Sequence, residues 1–208
     1  WDVSEESPEN FEPYLIPADE EYRGRHTGYV VPFGDDPYGV NRVGKEVYND
    51  IVNQGTKYLH ITTPYLILDD ETKGDIIHLA HTGVDVKIIT PHIPDKKLVF
   101  LVTRSYYKDL IDNGVKIYEY TPGFIHAKNV VSDDTKSVVG TINCDYRSLF
   151  LHFECGAYFY DRDMARKVEE DFQDTLEVSM LFTREMCNDF TIWERAAGRV
   201  LRVLAPMM

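Results

Sequence analysis

The chain of 208 residues is poor in cysteine, and the three it has, Cys144, Cys155 and Cys187, form neither an even set nor a C-x-x-C pair. That argues against a disulfide framework and a zinc ribbon, and for reduced thiols in a reducing compartment. No apolar stretch approaches the roughly 18 consecutive residues that a bilayer-spanning helix needs, and no secretory leader is visible. The third shortage is positive charge. Lys and Arg number 22 against 35 Asp and Glu, a formal net charge of −13, which argues against non-specific nucleic-acid binding through a basic surface. The acids are unevenly spread: the first 22 residues hold eight of them and no Lys or Arg, so the rest carries 22 basic against 27 acidic residues, a balance of −5.

What the sequence does have is 43% apolar and 12% aromatic residues, enough for one substantial core. Residues 1–25, acidic and dotted with proline, read as a linker or extended arm. Residues 26–208 read as one domain. A chain that starts at Trp1 is expected to be a fragment or processed product of a longer protein.

After the short strand and turn-rich loop of "YVVPFGDDPYGVN", helix-like and strand-like segments alternate. "GKEVYNDIVNQGTK" has apolar residues at helical spacing, and "YLHITTPYL" is β-branched and aromatic, hence a strand. "KGDIIHLAHTG" reads as a helix stopped at Gly83, and "VDVKIITP" as a strand ended by Pro91. "KLVFLVTRSYYKDLIDNG" is a longer helix stopped at Asn113 and Gly114, followed by the strand "VKIYEY". Three further strand-like runs, "AKNVVSD", "SVVGTIN" and "ECGAYFYD", have no full helix between the first two, so a hairpin interrupts the alternation and the sheet is expected to be mixed. "RDMARKVEEDFQDTLEVSM" reads as an amphipathic closing helix, with "TIWERAAGRVLRVLAPMM" a packing helix behind it.

The chemistry concentrates in "PGFIHAKNVVSDD", residues 122 to 134. If that run is extended, His126 and Lys128 lie on one face and point at one object, expected to be an anion. Asp133 is an odd number of residues from His126, faces the other way, and is read as tying the following turn. Seven residues beyond it begins G-T-x-N, made by Gly140, Thr141 and Asn143. Parity places Thr141 and Asn143 on one face, where a hydroxyl and an amide can donate to the same phosphate, and Gly140 is expected to let that backbone come close. His60, His78, His81 and His92 lack metal-ligand spacing and are read as surface or helix histidines. Tyr106 and Tyr107 are read as core or groove-lining, and Tyr65 as a strand-end residue near the pocket.

The H-x-K-x4-D pattern of His126, Lys128 and Asp133, with G-T-x-N downstream, resembles the catalytic motif of the phospholipase D superfamily. "HAKNVVSDDTKSVVGTINCDYRSLFLHFE" is similar to the second motif of bacterial cardiolipin synthases, and "TTPYLI", "GVDVKIITP" and "RVLRVLAPMM" extend the likeness over nearly everything after residue 26. The resemblance implies a phospholipase D-like α/β sandwich, one of two halves, with a mixed sheet flanked by helices. It implies a phosphatidyltransferase that makes cardiolipin from two phosphatidylglycerol molecules through a phosphohistidine, with no cofactor and no metal. A missing N-terminal half then carries the first motif and the usual nucleophile, leaving His126 as proton donor and later base.

Lys128 is expected to hold the non-bridging phosphate oxygens, and Glu154 to orient an imidazole, which the resemblance implies can be that of the opposite half. Arg147 and Ser148 match the family's R-S pair and are expected to support Glu154 or substrate. His152 departs from the Asn that many members carry. The resemblance further implies a bacterial membrane surface as the workplace, reached through anchoring segments absent from this chain, which is otherwise expected to be soluble. Two other readings stay open: a homodimeric phosphodiesterase or nuclease, and a non-catalytic module that binds anionic headgroups.

Overall fold

A computed structural model describes residues 28–204; the acidic arm of residues 1–25 lies outside them. The elements are β1 Tyr29–Asp35, α1 Val43–Asn53, β2 Tyr58–Thr62, β3 Leu66–Ile67, α2 Asp70–His81, β4 Asp85–Pro91, α3 Lys97–Asp112 and β5 Lys116–Tyr120. There follow β6 Asn129–Ser132, β7 Lys136–Gly140, β8 Cys144–Asp145, α4 Tyr146–Phe150, β9 Glu154–Tyr160, α5 Arg162–Glu177, β10 Ser179–Phe182 and α6 Ile192–Val203.

Eight strands form one mixed sheet in the order β1-β9-β7-β6-β2-β4-β5-β10. β2, β4 and β5 are parallel, joined by crossovers through α2 and α3, whose ends carry Gly83 and Gly114, each at φ 92. That left-handed conformation is nearly free only for glycine. β6 then runs antiparallel to β2 and turns tightly into β7. Asp133 and Asp134 occupy that turn at φ 57 and 55, the double left-handed geometry of a type I′ hairpin.

The period of two along β2 sorts the layers. Leu59 and Ile61 point into the main core shared with α1, α2 and α3, where Ile51, Ile76, Val102 and Leu110 are all buried. Tyr58 and His60 point to the other face, under Val168 and Phe172 of α5. The result is a sheet between helical layers, the sandwich the sequence led us to expect.

Two local expectations need correction, and one pairing was not anticipated. The helix read through "TLEVSM" stops at Glu177, because "SMLF" pairs antiparallel with the free edge of β5 as β10, satisfying backbone groups a longer helix would leave open. The unanticipated pairing lies in "CDYRSLF": Cys144 and Asp145 pair in parallel with Leu66 and Ile67, and Asp145 caps the short α4. His60 is neither a surface nor a helix histidine. It is 3% exposed, stacked 4.5 Å from both Tyr58 and Phe172, with Nδ1 2.8 Å from Glu169.

Candidate active site

Strand direction gathers the motif. β6 begins where β2 ends, Asn129 opposite Thr62. β7 ends where β9 begins, Gly140 opposite Gly156, two residues from Glu154. Thus the carboxyl ends of β2, β4 and β5, the segment before β6, the segment after β7 and the first residue of β9 share one end of the sheet. Ligands of open α/β sheets bind at that end.

His126 and Lys128 precede β6 rather than belonging to it, so strand parity does not set their directions. His126 is exposed, whereas Lys128 is 8% exposed and its Nζ donates to the His126 carbonyl at 2.6 Å. Burial and the nearby Lys128 ammonium, in that order, hold the His126 imidazole below its ordinary pKa. Burial also lowers Lys128, opposed by the carboxylates of Glu154 and Asp145. Partial dehydration strengthens the pull of the Lys128 ammonium on an anion, against the competing carboxylates of Glu154 and Asp145.

The G-T-x-N segment lies beyond the end of β7, held from beneath by Tyr48, whose hydroxyl donates to the Ile142 carbonyl at 2.8 Å. The Thr141 hydroxyl donates to the Glu154 carboxylate, and the Asn143 amide nitrogen donates to Ser148 Oγ at 2.8 Å. Both groups expected to contact one phosphate are therefore engaged within the protein, although Asn143 Oδ1 is buried with no partner. Gly140 serves a different approach from the expected one. A Cβ there would lie 2.5 Å from the Cys155 carbonyl oxygen and 2.7 Å from Gly156 Cα, so the missing side chain lets β9 cross close to β7 and brings Glu154 to Thr141.

Arg147 does not touch Glu154 directly. Its Nε donates to His152 Nε2 at 2.9 Å, and His152 Nδ1 lies 3.8 Å from Glu154 Oε1. His152 thus stands between the guanidinium and the carboxylate. Asp133 is fully occupied elsewhere: its carboxylate accepts from Thr56 N and Lys57 N, both at 2.8 Å, from Thr56 Oγ1 at 2.6 Å and from Tyr58 N at 3.0 Å.

An open cleft of about 470 Å³ adjoins this end, lined by Tyr65, Ile67, Lys96, Leu98, Asp145 and Arg147 among others. His126 reaches its wall through Phe124, whose ring lies 5.7 Å from the imidazole and 6.3 Å from the Tyr65 ring. Tyr65 is held by a 2.5 Å hydrogen bond to Asp95, with Lys96 Nζ 5.6 Å over its ring. Sequence reasoning missed Asp145. It is 6% exposed, its pKa raised by burial against the Ser148 N–H that it accepts at 2.7 Å. The available signal was local: Asp145 three residues before Ser148, at a helix N-cap.

The profile of the family described as "Cardiolipin synthase, PLD-like domain" matches residues 48–176, and the chain belongs to that family. It is 46% identical over its whole length to an uncharacterized protein of Streptococcus mutans and 37% identical over 185 residues, 89% of the chain, to cardiolipin synthase 2 of Bacillus anthracis. It spans 44% and 36% of those two proteins. Among solved structures it resembles Nuc of Salmonella typhimurium, a phospholipase D family member, with a TM-score of 0.62 at 15% identity, over 74% of this chain and 98% of that one. The fold is therefore of the phospholipase D type.

Proposed function

We propose that this chain is the half of a cardiolipin synthase that supplies the second H-x-K-x4-D motif, acting on phosphatidylglycerol at a membrane surface without metal or cofactor. The observation that carries this reading is the convergence of His126, Lys128, Asn143 and Glu154 at one end of the sheet in a member of the cardiolipin synthase family.

The chemistry needs two imidazoles. A neutral one in the other half attacks phosphorus of phosphatidylglycerol; a P–N bond forms as the P–O bond to glycerol breaks, and a protonated imidazole gives the departing glycerol its proton. We assign that proton to His126, which then takes a proton from the hydroxyl of a second phosphatidylglycerol as this oxygen displaces the phosphohistidine. Cardiolipin and glycerol result. Lys128 offsets the charge that spreads over the equatorial oxygens. The lowered His126 pKa disfavours the protonated form that the donor role needs, and a bound phosphodiester, being anionic, opposes that shift. Asn143 and Thr141 position backbone and carboxylate, and Asp133 braces the hairpin behind the motif.

The test is cardiolipin formation from phosphatidylglycerol vesicles by the complete enzyme, its His126→Ala variant and this chain alone. The expected outcome is transfer by the complete enzyme only, with unchanged thermal stability in the variant. Appreciable turnover by His126→Ala overturns the assignment, and turnover by the isolated chain favours a site built from two copies.

A further inference from the structure

Outside the candidate active site, α6 leaves an apolar face exposed among the described residues. One side of it packs on α3: a Cβ at Gly198 would lie 3.0 Å from Ser105 Cβ, and the Arg202 guanidinium sits 3.9 Å over the Tyr106 ring. At 3.6 residues per turn, Ile192, Trp193, Ala196, Val200, Val203 and Leu204 share the opposite side. Trp193 is 84% exposed, Val203 80%, Ile192 79% and Val200 63%. Such a stripe is costly in water unless something covers it.

The charge beside the stripe indicates what does. In a chain of net charge −13, α6 carries Arg195, Arg199 and Arg202 against Glu194 alone, and Glu194 is consumed in the Thr191 capping box. Arg202 turns toward α3 and Asp109. Arg195 and Arg199 flank the apolar stripe and line, with Arg104 and Lys108, a cleft of about 220 Å³ between the two helices. Arg199 is exposed and has no ion-pair partner among the described residues.

Size separates two kinds of partner. The 12-residue helix is about 18 Å long and about 10 Å across, a footprint near 180 Å², far below the roughly 800 Å² each side gives to a stable protein interface. It suffices for a helix lying at the boundary between headgroups and acyl chains, with apolar side chains down and arginines at phosphate level. We infer that the outer face of α6 is a membrane-docking surface that lies flat on an anionic bilayer. α3 then links docking to chemistry, because its first turn lines the cleft beside Tyr65 while its middle carries α6. The inference does not rest on the chemistry assigned to His126, and the His126→Ala protein is expected to dock unchanged.

Trp193 reports on the surface directly. The only other tryptophan is Trp1, so a Trp1→Phe protein isolates its fluorescence. With phosphatidylglycerol vesicles its emission is expected to shift to the blue and to be quenched by brominated acyl chains, with neither change on phosphatidylcholine vesicles. Val200→Glu and Arg199→Glu, both at exposed positions, are each expected to lower partitioning about tenfold or more at an unchanged melting temperature. Val203→Glu replaces any variant that melts early. Trp193 emission that ignores saturating phosphatidylglycerol overturns the inference. So does vesicle binding that both variants retain, or self-association that Val200→Glu abolishes in protein insensitive to lipid.

Discussion

Replacing Asp133 tests whether the last residue of the H-x-K-x4-D pattern acts on structure or on substrate. Its carboxylate accepts four hydrogen bonds at 2.6 to 3.0 Å, three of them from backbone N–H groups of residues 56 to 58. Hydrogen bonds to a charged acceptor contribute about 1.5–3 kcal/mol each, but these share one carboxylate near solvent, and water can replace part of the set. About 3 kcal/mol for the whole group is therefore a reasonable figure. Asp133 also sits at φ 57, which costs alanine roughly 1 kcal/mol more and glycine nothing. The expected order of destabilisation is Asp133→Asn, about 1–2 kcal/mol, then Gly, about 3, then Ala, about 4. At about 2–4 °C per kcal/mol for a domain this size, Ala lowers the melting temperature by around 10 °C. Activity per folded molecule of the complete enzyme is expected to hold. Burial raises the native pKa of Asp133, but those donors together outweigh it and hold the carboxyl below its ordinary value. Its stabilisation is therefore fully present above the unfolded value of about 3.9 and is lost as pH falls through the native value. Asn as stable as the parent at pH 7, or a stable Ala protein without activity, refutes the bracing role.

Two further perturbations probe the site. Lys128→Met removes one of the influences that depress His126, so the imidazole midpoint read from ring-proton NMR is expected to rise, though burial still holds it down; an unchanged or lower midpoint contradicts the proposed proximity. Gly140→Ala places a methyl 2.5 Å from the Cys155 carbonyl, where backbone must give way. A loss of about 2 kcal/mol or more is expected in a denaturant titration, together with a shift of Glu154 resonances, whereas a neutral substitution refutes the close crossing.

The alternation of helices and strands was legible because each segment carries its own period and its own stop, as Gly83 and Gly114 show. The elements missed were those whose stability is borrowed. β10 is four residues long and exists because β5 offers an open edge. β3 and β8 are two residues each and hold each other. His60 was misread because its polarity says surface while its neighbours, Leu59 and Ile61, say strand, and the partners that make its burial tolerable, Glu169 and Phe172, lie more than a hundred residues away. At the candidate site, the spacing of His126, Lys128, Asn143 and Glu154 was readable, but not their directions. Parity holds within a strand, and His126, Lys128 and Asn143 stand just outside one while Glu154 only opens one, so local hydrogen bonds decide.

The most informative feature of the candidate site is a mismatch within it. Among the described residues, the His126 imidazole has no carboxylate hydrogen-bonded to either ring nitrogen, while Glu154 reaches Thr141 and lies near His152 without bonding His126. An imidazole meant to cycle between neutral and charged forms benefits from a carboxylate that fixes its tautomer and stabilises its cation. Under the proposed function, His126 then takes its carboxylate, and Glu154 its imidazole, from the opposite half. Two such halves placed face to face can each supply what the other lacks, and the exposed position of His126 leaves it open to that exchange. The same pairing offsets the depressed His126 pKa, since a carboxylate brought against the imidazole opposes both the burial and the Lys128 ammonium that now hold it down. Under the proposed function this complementarity is what a chain working as half of a larger catalytic unit needs; the chain spans 44% and 36% of the length of the two relatives described.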